Sequence, residues 1–310
     1  MALSILQMVL PVLLVIALGF LCNRRQWLSA AGLQGIKSVV GKITLPVVLF
    51  NAFFTADYSG TTALTFCVVY ISLGAALLIG FWARRFNARY GKFMPFLMTG
   101  FEGGMLGYAL FGLLYGASQT HIFAMADVGQ TMFAYTVFLS TLQVVNGQKP
   151  SVGAVVKNML TNPASVGMLL GIVLGVAGVG KWVAASTIGP LVSSLISFIT
   201  APTSVLILLM VGYELSFSRE LMKPVLTTAL VRLAVMAALC CVCALVIFAV
   251  VPFDKPLLVA LMLGFMLPPP FIIPLYADVT GHGEYISTTL SISTLLSVAA
   301  FIGIAAYTLA

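Results

Sequence analysis

Gly100-Phe101-Glu102-Gly103-Gly104-Met105-Leu106-Gly107 sets a carboxylate and four glycines inside an apolar stretch otherwise long enough to cross a bilayer. A helix in lipid satisfies its own backbone groups, so an interruption there is tolerated only against protein or a watery cavity. Leu267-Pro268-Pro269-Pro270 interrupts another apolar stretch at a similar depth, much later in the chain. Breaks in corresponding positions of two halves point to a transporter's binding site near the midplane. Gly and Pro also kink membrane helices without further purpose. The matched placement of these two breaks favours the first reading.

Composition fixes the class. Of 310 residues, 61% are hydrophobic and 7% charged, against roughly 25% charged in a soluble domain. A chain with so few polar residues has too little to cover a globule in water, so it reads as an all-α membrane protein. The net charge of +7 sits in short loops between apolar runs, which fits membrane topology and not nucleic-acid binding. Cys22, Cys67, Cys240, Cys241 and Cys243 all fall in apolar runs with neither disulfide nor metal spacing; they read as small fillers. His121 and His282 are far apart, and no Ser/His/Asp, HExxH or phosphate-loop pattern occurs, so no enzyme, metal or cofactor is expected. The first apolar run lacks a basic leader and a cleavage site and reads as a retained span.

A span takes about 20 apolar residues. Ten are expected, over about 3–22, 35–54, 62–82, 93–116, 121–145, 163–180, 187–213, 224–251, 256–276 and 286–309. On one side the loops carry Arg24, Arg25, Arg84, Arg85, Arg89, Lys92, Lys149, Lys157, Arg219 and Lys223; on the other they carry Lys181 and Lys255. That asymmetry puts the basic loops in the cytoplasm and both termini outside. Lys37 and Lys42 lie near the cytoplasmic start of span 2 and can snorkel. Arg232 lies deeper, in span 8, and needs a partner or an aqueous surface.

Five spans per half make the halves inverted relative to each other. Pro11 and Gly19 in span 1 answer Pro163 and Gly171 in span 6 at the same spacing, and Thr44-Leu45-Pro46 answers Thr200-Ala201-Pro202. Together with the paired breaks this gives a five-plus-five inverted repeat: residues 1–145, a short cytoplasmic linker over 146–162, and residues 163–310. Spans 4 and 9 are the broken ones.

Each break leaves a half-helix whose N-terminal N–H groups and partial positive charge suit a carboxylate or phosphate. Glycines let a ligand approach the backbone, and prolines remove N–H groups that lack partners. Candidate substrate-binding residues are therefore Glu102, Gly103, Gly104, Pro268 and Pro269, with Asn51, Gln130 and Tyr135 as deep polar groups nearby in the fold. Helix–helix hydrogen bonding competes equally for the last three. Glu102 is the candidate for proton coupling; a permanently neutral carboxyl bonded to the broken backbone is the alternative, and both stay open. Asp127 reads as a solvated cap near the outer end of span 5, and Glu214 and Glu220 as solvated loop residues.

The chain resembles the auxin efflux carrier family, which contains bacterial permeases and the plant PIN-FORMED and PIN-LIKES proteins. The resemblance extends over essentially the whole length. It rests on Leu10-Pro11 through Gly19-Phe20-Leu21, Leu45-Pro46-Val47-Val48-Leu49-Phe50, Gly104-Met105-Leu106-Gly107-Tyr108 and Asn162-Pro163. Leu267-Pro268, Ala277 and Ser291-Ile292-Ser293-Thr294-Leu295 complete it. It implies ten helices with 4 and 9 crossing at their breaks. It also implies a scaffold of helices 1, 2, 6 and 7, a mobile unit of helices 3–5 and 8–10, elevator movement, and a homodimer in a bacterial inner membrane. In the family the crossing usually carries Asn where this chain has Glu102, and often Pro just after the second glycine, where it has Tyr108 and Ala109. Gln130 and Tyr135 match the spacing of a substrate-holding pair in plant members.

The likeness implies small organic anions: dicarboxylates such as malate or malonate, or indole-3-acetate. A dicarboxylate needs a second fixed positive charge near the crossing, and only Arg232 lies deep. A monocarboxylate with an apolar or aromatic body fits better. A cation/proton antiporter using Glu102 and Asp127 and a non-transporting membrane sensor are the other readings.

Overall fold

The computed structural model describes residues 2–56, 58–87, 89–147, 152–273 and 281–309. Among these residues every regular element is helical and there is no β-strand. Part of the expected linker, the end of the expected ninth span and Ala277 lie outside the described residues.

The helices follow the apolar runs. Helix α1 covers Ala2–Arg24, α2 Ala30–Phe54 and α3 Gly60–Asn87. Then come α4 (Met94–Met98), α5 (Tyr108–Tyr115) and α6 (Thr120–Val145). The second half has α7 (Val152–Thr161), α8 (Pro163–Val176), α9 (Val179–Ala185), α10 (Gly189–Tyr213), α11 (Met222–Phe248), α12 (Lys255–Met266) and α13 (Gly283–Leu309). Six of them, α2, α3, α6, α10, α11 and α13, are long and apolar enough to cross a membrane. The pair α8 and α9, bent by 75°, makes a seventh candidate.

Local chemistry sets the boundaries. Ser29 Oγ accepts the Gly32 N–H at 3.1 Å and starts α2. Asn162 Oδ1 accepts from Ala164 and Ser165 at 2.9 and 3.3 Å while Pro163 takes the first helical position, so this Asn-Pro pair works as a cap. The α8–α9 bend falls at Gly178, whose φ of +76° is left-handed. In α2 a π-turn over Val40–Thr44 precedes Leu45-Pro46; Pro46 has no N–H to donate, and the helix widens ahead of it.

Two seams are packed closely enough that the glycines in them are obligatory. Helix α1 lies along the Thr203–Tyr213 portion of α10. A Cβ at Gly19 would be 2.1 Å from the Leu209 carbonyl oxygen, and one at Gly212 would be 2.0 Å from that of Ile16. Helix α8 lies along the Leu45–Phe54 portion of α2, where Cβ atoms at Gly167, Gly171 and Gly175 would be 2.4, 2.5 and 2.5 Å from the carbonyl oxygens of Pro46, Phe50 and Phe53. Lipid provides no hydrophobic drive for helix association, so backbone-to-backbone packing through small residues supplies it. The remaining long helices pack as α3 on α6 and α11, and α12 on α6, α11 and α13. Large apolar side chains such as Phe198 (83% exposed) and Leu78 (72%) face outward, as a lipid-facing surface requires.

Candidate functional site

Both interruptions are present, and they meet. Helix α4 stops after five residues, Thr99 is extended, and Gly100 turns with φ +74°. The chain resumes in a π-turn over Gly103–Gly107 that leads into α5. In the second break, α12 ends at Met266 and Leu267 is extended (ψ 157°). The Glu102 N–H donates to the Pro268 carbonyl at 2.9 Å. Gly100 lies against Pro270, whose Cγ would be 2.9 Å from a Cβ at that position.

Pro268, Pro269 and Pro270 have no N–H, which makes Phe271 the first residue after the run able to donate. Its N–H goes to Glu102 Oε2 at 2.7 Å. Glu102, 8% exposed, thus binds the second break with both its backbone and its carboxylate. The amide expected to await an anionic guest already holds an anion-type group from the protein itself.

The carbonyl ends of the two breaks share another partner. Arg232 on α11, 4% exposed, donates from Nη2 to the carbonyls of Gly100 and Leu267, both at 2.7 Å, and from Nη1 to that of Leu97 at 3.4 Å. The last carbonyls of a helix have no partner inside it and carry partial negative charge, so a guanidinium fits there. Placing an Arg at mid-bilayer costs about 2.5–3.5 kcal/mol on insertion scales. Two short charge-assisted bonds, each about 1.5–3 kcal/mol, offset that cost. Ser297 on α13 completes the arrangement by donating to the Met266 carbonyl at 2.5 Å.

Asp127 corrects the sequence reading. It is 2% exposed, not a solvated cap, and accepts from the Tyr108 hydroxyl at 3.1 Å, with Thr131 farther off at 3.5 Å. A Cβ at Gly103 would lie 2.1 Å from Asp127 Oδ1. Gly103 is therefore what lets the interrupted segment lie against this carboxylate. The misreading came from locating Asp127 by its distance along α6 from the outer loop. The depth to which the first break reaches back toward α6 has no signature in the sequence.

The other expected residues divide. Gly104 is close to the Glu102 carboxylate: its Cβ position is 3.8 Å from Oε1. Pro269 is buried within the second break. Gln130 reaches the first break, with Nε2 3.1 Å from the Cβ position of Gly100; its Oε1 is buried without a hydrogen-bond partner among the described residues. Tyr135 sits in a π-turn over Ala134–Phe138, and its hydroxyl accepts from Ser165 of α8 at 2.7 Å, a helix–helix contact. Asn51 is half-buried in α2, and its backbone carbonyl accepts from Thr55.

A cavity of about 1020 Å³ leads to the second break from among the ends of α1, α10 and α13 and the start of α2. Phe271 lies along it, as do Phe20, Phe217, Asn23, Gln34, Ser287, Ser291 and Thr294. Arg24, Lys37 and Glu214 supply its charges. Glu214, expected to be solvated, is ion-paired with Lys37, which joins α2 to the end of α10. A smaller cavity of about 280 Å³, mostly apolar, lies near Tyr58, Phe66 and Met125. Tyr58 is in the link between α2 and α3; burial pushes its hydroxyl up to about 12, so it stays protonated and donates to the Phe53 carbonyl at 2.8 Å. Gln130, Tyr135 and Asn51 line neither cavity.

Residues 4–151 match the family described as membrane transport protein. The match spans just under half of the chain, whose first half is thus similar to membrane transport proteins. Over this segment the likeness to auxin efflux carriers read from the sequence holds. An uncharacterized transporter of Methanothermobacter thermautotrophicus is 23% identical over 214 residues, which cover 67% of each chain. With the long apolar helices, this likeness supports a multi-pass membrane protein. The matched segment contains the first break, Glu102, Asp127 and Gln130. Arg232, Phe271 and the α13 hydroxyls lie beyond it.

Sequence reasoning missed the vestibule residues Ser287, Ser291 and Thr294 of α13. The signal was available: they recur at four and three residues, which puts them on one helical face. It went unread because α13 also buries Thr288, Thr289, Ser293 and Ser297, so its polar groups do not form a single stripe.

Proposed function

We propose that this protein is a secondary active transporter of organic carboxylates, with monocarboxylates bearing an apolar or aromatic body, such as indole-3-acetate, preferred. The observation that carries the reading is the Phe271 N–H at the inner end of the vestibule, bound to a carboxylate 2.7 Å away. A substrate carboxylate replaces that of Glu102 on this amide once Glu102 takes up a proton. Proton and substrate movement are thereby coupled. The charged groups around Glu102 are Asp127, held by Tyr108, and Arg232, held by main-chain carbonyls. Arg24 and Lys37 outnumber Glu214 along the vestibule and favour entry of an anion. Phe20, Phe217 and Phe271 favour an apolar body. Arg232 directs three of its five N–H donors to main-chain carbonyls and lines neither cavity, which disfavours it as a second anchor for a dicarboxylate.

In this reading the chain is a ten-span, five-plus-five inverted repeat with residues 1–145 and 163–310 as halves. The exchanged seams support it, since span 1 packs on span 7 (α1 on α10) and span 2 on span 6 (α2 on α8). Those helices form the scaffold, through which the protein dimerises, and the broken spans with their neighbours move as an elevator.

 

Both termini lie outside, the basic loops face the cytoplasm of a bacterial inner membrane, and the protein is a homodimer in this reading. Uptake of radiolabelled indole-3-acetate and malate into proteoliposomes tests the substrate assignment. Faster indole-3-acetate uptake, competed by other aromatic monocarboxylates, is expected; faster malate uptake overturns it.

One observation favours a second reading. Asp127 and Glu102 place two buried carboxylates at the same break, which suits a cation/proton antiporter. Proton release from proteoliposomes stimulated by sodium or potassium, with no carboxylate present, is the result that selects this reading over the first.

A further inference from the structure

In broken-helix transporters, unwound backbone carbonyls and the C-terminal ends of half-helices are the groups that take the coupling cation. Here those groups are the carbonyls of Leu97, in the last turn of α4, of Gly100, just after it, and of Leu267, which follows α12. Arg232 of α11 donates to all three. Its side chain enters from a third helix and belongs to neither break. We propose that Arg232 is a built-in counter-cation that fills the alkali-ion seat of the crossing, so the transporter works without sodium or potassium bound there.

Three features carry the inference. First, Arg232 is buried to 4% exposure, and its two short bonds bridge the breaks, one carbonyl from each. A guanidinium is planar and always charged, so it presents donors in a fixed fork, and a diffusible ion can take the three oxygens only if that fork leaves them. Second, the partners are main-chain carbonyls. No ion pair joins Arg232 to a carboxylate among the described residues, so its role differs from that of a salt bridge holding two helices together. Third, the neighbouring carbonyl of Met266 is taken by Ser297, which leaves the carbonyl end of α12 satisfied by side chains. The opposite pole of the crossing differs, since the Glu102 carboxylate on the Phe271 N–H is released when it takes up a proton. A seat that is permanently filled by a side chain has no vacancy for an ion to enter and leave during a transport cycle.

Arg232 is thus a positioning residue: it acts through the carbonyls that hold the two breaks in register. The inference rests on this geometry and is independent of which carboxylate is carried.

The test is thermal unfolding of the detergent-purified full chain in sodium, lithium, potassium and choline chloride at equal ionic strength. Wild-type protein is expected to melt at the same temperature in all four salts, and so is Arg232→Lys, at a lower temperature. Arg232→Ala is expected to melt lower still and to recover part of the loss, about 2–4 °C, in sodium or lithium but not in choline. A wild-type melting temperature raised by sodium or lithium over choline overturns the proposal. So does a folded Arg232→Ala that gains nothing from any alkali ion. If Arg232→Ala yields no folded protein, the wild-type and Arg232→Lys series decide: equal melting in all salts supports the proposal, and an alkali-specific rise in either protein sinks it. Merely structural loss of Arg232 lowers stability equally in every salt, so the ion-specific recovery separates the two roles.

Discussion

The N–H of Phe271 and the carboxylate of Glu102, 169 residues apart in sequence, meet at 2.7 Å where the two breaks touch. The contact gives Glu102 two tasks. It satisfies the first donor after three prolines, and it occupies the amide that faces the vestibule.

Substitution of Glu102 separates those tasks. Glu102→Gln keeps an oxygen able to accept from Phe271 but has no proton to exchange. Its melting temperature is expected to stay near that of wild type, while the dependence of transport on pH disappears. Glu102→Ala leaves the Phe271 N–H without its acceptor, at a cost of about 1–3 kcal/mol, and melts lower. Wild-type binding of a carboxylate is expected to strengthen as pH falls, because protonated Glu102 releases the amide. Binding isotherms at two pH values check this, and an unchanged pH dependence in Glu102→Gln removes the proton role.

Tyr108 and Asp127 form a second buried contact at the first break. Tyr108→Phe deprives a buried carboxylate of its nearer hydroxyl donor, with an expected loss of about 1–3 kcal/mol. Adding Asp127→Asn to that background replaces the carboxylate by a neutral amide. The double variant is therefore expected to be less destabilised than the sum of the single ones. A double-mutant cycle by chemical denaturation measures the coupling; additive losses count against the contact.

The helical seams yield a prediction with an internal control. In a helix interior, Gly→Ala normally gains roughly 0.5–1 kcal/mol. At Gly19 and Gly171 the new Cβ would press on backbone carbonyl oxygens at 2.1 and 2.5 Å, and backbone does not swing aside as a side chain does. Overpacking costs about 1–3 kcal/mol and outweighs the gain. Gly19→Ala and Gly171→Ala are expected to lower the melting temperature. Gly74→Ala and Gly303→Ala, with nothing within 4 Å of the new atom, are expected to hold or raise it.

These seams also explain why much of the fold was legible. The repeated Pro-and-Gly spacing at Pro11 to Gly19 and Pro163 to Gly171 marks places where two backbones touch, and only glycine fits there. The two breaks were legible because a helix in lipid cannot lose its hydrogen bonds unnoticed. What stayed hidden is lateral. Arg232 stood out as a deep charge, yet its partners are carbonyls, and any residue has a carbonyl. Asp127 was misplaced because a break in one segment changes the depth of its neighbours. The Glu102–Phe271 contact joins two halves of the chain, and nothing at either position names the other.

Gln130 gives the most direct test of the substrate site. Its Oε1 is buried without a partner among the described residues, and its Nε2 lies beside Gly100. A buried acceptor without a partner costs about 1–3 kcal/mol, so replacing the amide by an apolar chain of similar size removes a penalty. Gln130→Met is therefore expected to melt at or above the wild-type temperature. If the amide donates to the substrate carboxylate during transport, its loss removes a bond worth about 1.5–3 kcal/mol, or about 10- to 150-fold in affinity. Stability retained with carboxylate binding weakened by that factor is the expected pair of results, from thermal unfolding and equilibrium binding on one preparation. Unchanged binding would remove Gln130 from the site, and a drop in melting temperature would show that the amide holds helices together.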